Sequence, residues 1–155
     1  MIKFAKIYTS LCYVGYIKPG SGTVGSIVSI LIIYNLMNYL NHFNFIILFV
    51  FLLFLSNKFI DVYSSSTNSH DSSKIVIDEF LGIFFIMIFY DFFIFLNNWT
   101  MLILIFVLFR IFDILKPYPI NWIDQNIKNS WGVILDDIFA GIYCVIVLSF
   151  INAII

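Results

Sequence analysis

The chain has 155 residues, of which 62% are hydrophobic, 20% aromatic and only 11% charged, and its formal net charge is -1. Soluble domains carry about 25% charged residues, and a fold this small cannot bury so much apolar surface. A soluble helical bundle that oligomerises through greasy faces is therefore the weaker alternative to a membrane protein. The near-neutral charge argues against nucleic acid as a partner, and Cys12 and Cys144 form no CxxC or zinc spacing.

The first twenty residues, MIKFAKIYTSLCYVGYIKPG, have a basic start and an apolar run without a clear small-residue cleavage site. They are expected to belong to the mature protein. The stretch KPGSGTVGS at 18–26 is rich in glycine. Its glycines would let backbone N–H groups approach an anion, and a following helix N-terminus favours negative charge. Gly22, Thr23, Gly25 and Ser26 are thus candidate phosphate-binding positions. The Lys-Ser/Thr ending of a P-loop is missing, and a loop that merely caps the first helix is the plainer reading.

Apolar segments follow at roughly 24–40, 43–60, 77–96, 99–115 and 133–155. A spanning helix needs about 20 residues, so the first segment is marginal and could be tilted or re-entrant. Asn41-His42 and Asn97-Asn98 are tight breaks without Lys or Arg, whereas the breaks at 64–74 and 116–132 are longer and basic. The prediction is an all-α integral membrane bundle of about 4–5 hydrophobic helices, forming a single domain over 1–155. If the segments alternate, all eight Lys and Arg residues fall on one side. The positive-inside rule makes that side cytoplasmic. Asp78, Glu79, Asp113, Asp124, Asp136 and Asp137 fall there too, while Asp91 lands at the opposite end as a solvated residue. His70, beside Asp71 in a Ser-rich stretch, reads as a solvated loop histidine rather than a proton shuttle.

Two adjacent acidic pairs, Asp78-Glu79 and Asp136-Asp137, stand at the heads of apolar runs. Such pairs repel and are costly near hydrocarbon unless a cation compensates, which makes them functional-site candidates. The fourth segment exits through LFRIFDILKPYPINWID. Arg110, Asp113 and Lys116 follow at i, i+3 and i+6 and share a helix face before Pro117 ends the helix. An internal salt bridge with a snorkelling lysine would explain that line alone. Beside two acidic pairs it suggests more: carboxylates suit Mg²⁺, Arg110 and Lys116 suit phosphate oxygens, and the combination suits phosphoryl transfer. DEFLG and DDIFAG repeat an acid followed by a small residue, so Gly82 and Gly141 are expected to let two helices cross tightly beneath the carboxylates.

The segments GTVGS, IDEFLG, FRIFDILKPYPINWID and ILDDIFAG resemble, in order, the motifs of the phosphatidylglycerophosphatase A family, over nearly the whole chain. Where that family commonly has Pro-Gly-Thr, this chain has Ser21-Gly22-Thr23. The resemblance implies a Mg²⁺-dependent, multi-pass phosphatase of the bacterial inner membrane that converts phosphatidylglycerophosphate to phosphatidylglycerol. Asp78, Glu79, Asp113, Asp136 and Asp137 would supply metal ligands and a general base, with Lys116 and Arg110 on the phosphate. A water activated by the metal would attack in line. The covalent routes lack their signatures: there is no Asp-x-Asp motif, and Phe150 stands where a cysteine phosphatase built on Cys144 would need arginine. The competing classes are a small ion or proton transporter, a CDP-alcohol phosphotransferase, whose DGxxAR motif is absent, and a structural subunit. A transporter would need polar groups near the bilayer midplane or on both sides, yet here they gather at one side and the helix centres IFFIMIF, MLILIFV and YCVIVLSF carry no charge.

Overall fold

A computed structural model describes residues 1–67, 72–93 and 97–154, and all regular structure among them is helical. His70 lies outside the described residues. The helices are α1 (Ile2–Thr9), α2 (Ser21–Met37), α3 (His42–Thr67), α4 (Ile77–Ile88), α5 (Asn98–Leu115), α6 (Ile120–Asn126) and α7 (Ser130–Ile154), with 3₁₀ turns at Val14–Tyr16 and Tyr90–Phe92. Each predicted apolar segment is thus a helix. Three of them, α3, α5 and α7, are long and apolar enough to cross a membrane.

Local chemistry sets several boundaries. Asn97 caps α5 by accepting the Thr100 N–H, a side-chain substitute for a missing helical acceptor. Lys116 ends the same helix in the left-handed region, at φ 42°, and Pro117 follows. Helix α3 runs past its apolar stretch to Thr67, and in its last turn Ser65, Ser66 and Thr67 donate their hydroxyls back to carbonyls of the preceding turn. The segment predicted at 77–96 is shorter as a helix than expected. α4 stops at Ile88, and a 3₁₀ turn carries the exposed Asp91 at the end remote from the acidic pairs.

At 1.5 Å per residue, the 26 residues of α3 measure about 39 Å and the 12 of α4 about 18 Å. A hydrocarbon core is ~30 Å thick, so α3 overspans it and α4 alone cannot cross. Burial agrees with this division. Nine of the twelve α4 residues are buried, whereas α3 exposes Phe43, Ile47, Phe51 and Phe54. Helix α4 is the pillar of the bundle, and α3 and α5 present apolar faces to lipid.

The tightest crossing joins α4 to α7. A Cβ on Gly82 would lie 2.7 Å from the Asp137 carbonyl oxygen, and one on Gly141 would lie 2.8 Å from the Gly82 carbonyl oxygen. The two glycines let these backbones touch, as the repeated acid-plus-small pattern predicts. Helix α1 lies against α3 through the Tyr8–Ser56 hydroxyl pair and the Tyr8–Phe59 ring contact. The chain then reaches the start of α4, where the Val76 N–H donates to the Thr9 carbonyl.

Candidate active site

Five helix ends converge at one end of the bundle. The N-termini of α2, α4 and α7, the C-terminus of α5 and the short α6 enclose a cavity of about 300 Å³. Six carboxylates line it, Asp78, Glu79, Asp113, Asp124, Asp136 and Asp137, against three cationic side chains, Arg110, Lys116 and Lys128. Both acidic pairs and the charged line of the fourth segment therefore meet in one mouth.

The charges divide into two clusters. On the α4 side, Arg110 Nη1 lies 2.7 Å from Asp113 Oδ2 and 3.1 Å from Glu79 Oε1. On the α7 side, Lys116 Nζ lies 2.9 Å from Asp136 Oδ2 and 3.0 Å from Asp124 Oδ1. The sequence placed Lys116 on the Arg110 stripe, but its left-handed backbone swings it off the helix line towards α7. The first Asp of each pair also folds onto its neighbour. Asp78 Oδ1 accepts the Glu79 N–H, and Asp136 Oδ1 accepts the Asp137 N–H, each at 3.0 Å.

Burial raises the electrostatic stakes. It pushes the Glu79 carboxyl up to about 7, and the nearby Asp113 adds to the rise while Arg110 opposes it. Glu79 Oε2 is buried and has no hydrogen-bond partner among the described residues. For Lys116, burial favours the neutral amine, but the hydrogen bonds and charges of Asp136 and Asp124 outweigh it and hold the ammonium above the usual lysine range. Asp137 is 4% exposed, and the charges acting on it come from Asp136, Asp78, Asp113 and Glu79, all carboxylates.

The glycine-rich segment is not a loop: GTVGS forms the opening turns of α2. Helical periodicity splits its residues. Gly22 lines the cavity, and a side chain there would collide with Glu79 Oε1 and lie 3.1 Å from Arg110 Nη1. Gly25 packs on Val76 and Glu79, where a Cβ would lie 2.8 Å from Oε2. Ser26 is buried and donates to the Gly22 carbonyl. Thr23, one position further round the helix, lines an apolar groove instead of the cavity. The Ser21 and Gly22 backbone reaches the mouth at the start of α2, where N–H groups lack helical acceptors.

Asp124 was read only as a residue on the basic side. Its signal lay in the motif itself, eight residues beyond Lys116 on the far side of two prolines. That spacing gains meaning only when α6 folds it back onto Lys116. Ser72 and Ser73 also line the cavity, and Ser73 accepts the Ser21 hydroxyl through its carbonyl. Neither residue carries a sequence signal of its own.

Among the described residues, no three carboxylate, histidine or cysteine groups form a ready-made metal cage. The donor set nevertheless fits a hard divalent cation. It is all oxygen, it includes a buried carboxylate with other carboxylates acting on it, and Glu79 Oε2 lacks a partner among the described residues. Mg²⁺ commonly takes only one or two carboxylates directly and retains several waters. Six acids to three cations also leave the cavity too negative to welcome a phosphate dianion without a further cation.

Comparison with known proteins places this geometry in context. A family model described as Phosphatidylglycerophosphatase A matches residues 7–152. The chain is 34% identical over 134 residues to the phosphatidylglycerophosphatase A of Haemophilus influenzae, covering 86% of this chain and 80% of that protein. It is 39% identical over 83 residues to the phosphatidylglycerophosphatase A of Escherichia coli, covering 54% of this chain and 46% of that one. No solved structure matches the chain.

Proposed function

The chain belongs to the phosphatidylglycerophosphatase A family, and on that premise we propose that its charged mouth is where the enzyme works. The activity is that of a membrane lipid phosphatase, which hydrolyses phosphatidylglycerophosphate to phosphatidylglycerol and phosphate. The observation that carries the site is the convergence of both acidic pairs with Arg110 and Lys116 in one cavity at the edge of the apolar bundle.

Mg²⁺ would be held by Asp137 with Asp136 and Asp78. Glu79 and Asp113, tied to Arg110, would complete the oxygen-rich wall. When bound, the ion would neutralise phosphoryl charge and acidify the attacking water. The chain's own groups do the rest. Lys116, poised between Asp136 and Asp124, donates to a phosphate oxygen as charge builds in the transition state. Arg110 fixes Glu79 and Asp113 and adds positive charge at the opposite wall. The N–H groups at the start of α2 donate to the remaining phosphoryl oxygens. A carboxylate of the two pairs takes the proton of the attacking water.

The mouth faces the cytoplasm of the bacterial inner membrane in this reading, because Lys and Arg gather on its side. The ion-transport alternative lacks its main requirement. No Asp, Glu, Lys or Arg occurs at 80–90, 99–109 or 138–154, so the helix centres offer no charged relay.

Purified protein in detergent tests the substrate. Phosphate release from phosphatidylglycerophosphate should far exceed release from phosphatidic acid, whose phosphate sits one glycerol closer to the acyl chains. Equal rates on both lipids, or none on either, would refute the assignment.

A further inference from the structure

Two apolar grooves lie side by side between α2 and α5. The first, of about 490 Å³, opens directly off the charged mouth, and Arg110 lines both. Thr23 flanks it on α2, and Ile111 and Ile114 on α5. The second, of about 260 Å³, continues from the shared Phe106 past Ile27 and Ile103 to Trp99. The walls are almost purely hydrocarbon, and many of their side chains are exposed, including Ile27, Ile103, Ile111 and Ile114. From Arg110 to Trp99 the track follows α5 for about 16 Å at 1.5 Å per residue. That length is about half of a ~30 Å hydrocarbon core, about what one acyl chain occupies.

We propose that the α2/α5 track holds one acyl chain of the lipid whose phosphate enters the mouth, with Arg110 at the junction of headgroup and tail. The proposal rests on the phosphatase reading of the mouth. It commits to a substrate chain because of continuity: the track begins at a residue of the charged cavity, runs for about the length of one acyl chain, and is polar only where it meets that cavity. The exposed face of α3 also presents aromatic and aliphatic side chains, but its surface groove, at Phe51, Phe54 and Lys58, shares no residue with the mouth. Thr23 and Arg110 mark the place where the lipid passes from the polar to the apolar region.

The test compares long-chain and dihexanoyl phosphatidylglycerophosphate in the same detergent. Ile103→Trp fills the track, and Ile47→Trp, on the exposed face of α3, serves as the control. Ile103→Trp should raise KM for the long-chain lipid about tenfold relative to the short-chain lipid, as expected from losing about two buried methylenes. Ile47→Trp should leave that ratio as in the wild type. An unchanged ratio in Ile103→Trp overturns the track, whereas a wild type inactive on both lipids overturns the phosphatase reading instead. A second measurement needs no variant: a substrate analogue with a diazirine near the acyl terminus should label α2 and α5 around Ile27 and Ile103 in the wild-type protein. Label spread evenly over α3, α5 and α7 contradicts the proposal.

Discussion

The two acidic pairs occupy like positions at the heads of α4 and α7, yet their surroundings differ. Asp78-Glu79 sits under the first turn of α2, with Glu79 pressed against Gly22 and Gly25 and tied to an arginine. Asp136-Asp137 faces the cavity with a lysine on Asp136 and the carboxylates of Asp78, Asp113 and Glu79 acting on Asp137. Arginine suits the first place because a single guanidinium nitrogen, Nη1, serves Asp113 and Glu79 together in a packed setting. Lysine suits the second because a single flexible ammonium can follow a phosphate. The contrast suggests a division of labour: the α4 side is a braced wall, and the α7 side is the working face.

That division can be broken most decisively at Asp137. Asp137→Asn should lower kcat about 10³-fold while the protein still folds, because the change removes a charge and keeps the shape. Asp91→Asn, at the exposed opposite end, should leave kcat unchanged. Lys116→Ala should lower kcat/KM about 10²-fold, the usual effect of removing one donor to a developing oxyanion, and should lower the melting temperature less than Arg110→Ala does, because the lysine pairs are more exposed. Arg110→Ala should act the other way round. Stranding Glu79 and Asp113 without their cation should cost about 3 kcal/mol of stability, visible as a lower melting temperature in detergent. If Arg110→Ala proves stable and Lys116→Ala unfolds, the roles of the two clusters are reversed.

Smaller effects sharpen the picture. Gly82→Ala should cost about 1–3 kcal/mol by overpacking, since its Cβ would press on the Asp137 carbonyl, and circular-dichroism melts in detergent would measure it. The smallest effect concerns pH. Glu79 is raised from 4.5 to about 7 in the fold, so between those values the folded protein binds the extra proton. Its contribution to stability is fully present below pH 4.5 and is lost as pH rises through 7. In EDTA, wild-type melting temperature should therefore fall across that window, and Glu79→Gln should flatten the slope.

Much of this arrangement was legible in the sequence because its signals are periodic or costly. Lysine placement predicted that the basic residues and both acidic pairs share a side, and the paired acids marked the mouth because isolated charges beside hydrocarbon need a reason. Gly82 and Gly141 announced the α4/α7 crossing through spacing alone. What escaped depends on backbone turns that spacing does not encode. The left-handed residue at Lys116 redirects its side chain from the Arg110 stripe to Asp136, and α6 folds Asp124 back to meet it. Likewise GTVGS looked like an anion loop because glycines were taken for conformational freedom. In the fold they are the smooth face of a helix, closed on Glu79.

The central claim is that the mouth is a Mg²⁺-dependent phosphatase site with its working face on α7. Phosphate release from phosphatidylglycerophosphate, followed as Mg²⁺ is titrated into EDTA-treated wild type and Asp137→Asn, tests it most directly. The account predicts that wild-type activity vanishes in EDTA and returns with Mg²⁺, and that Asp137→Asn stays nearly inactive throughout. Activity that survives EDTA, or an Asp137→Asn titration that overlays the wild type, would contradict it.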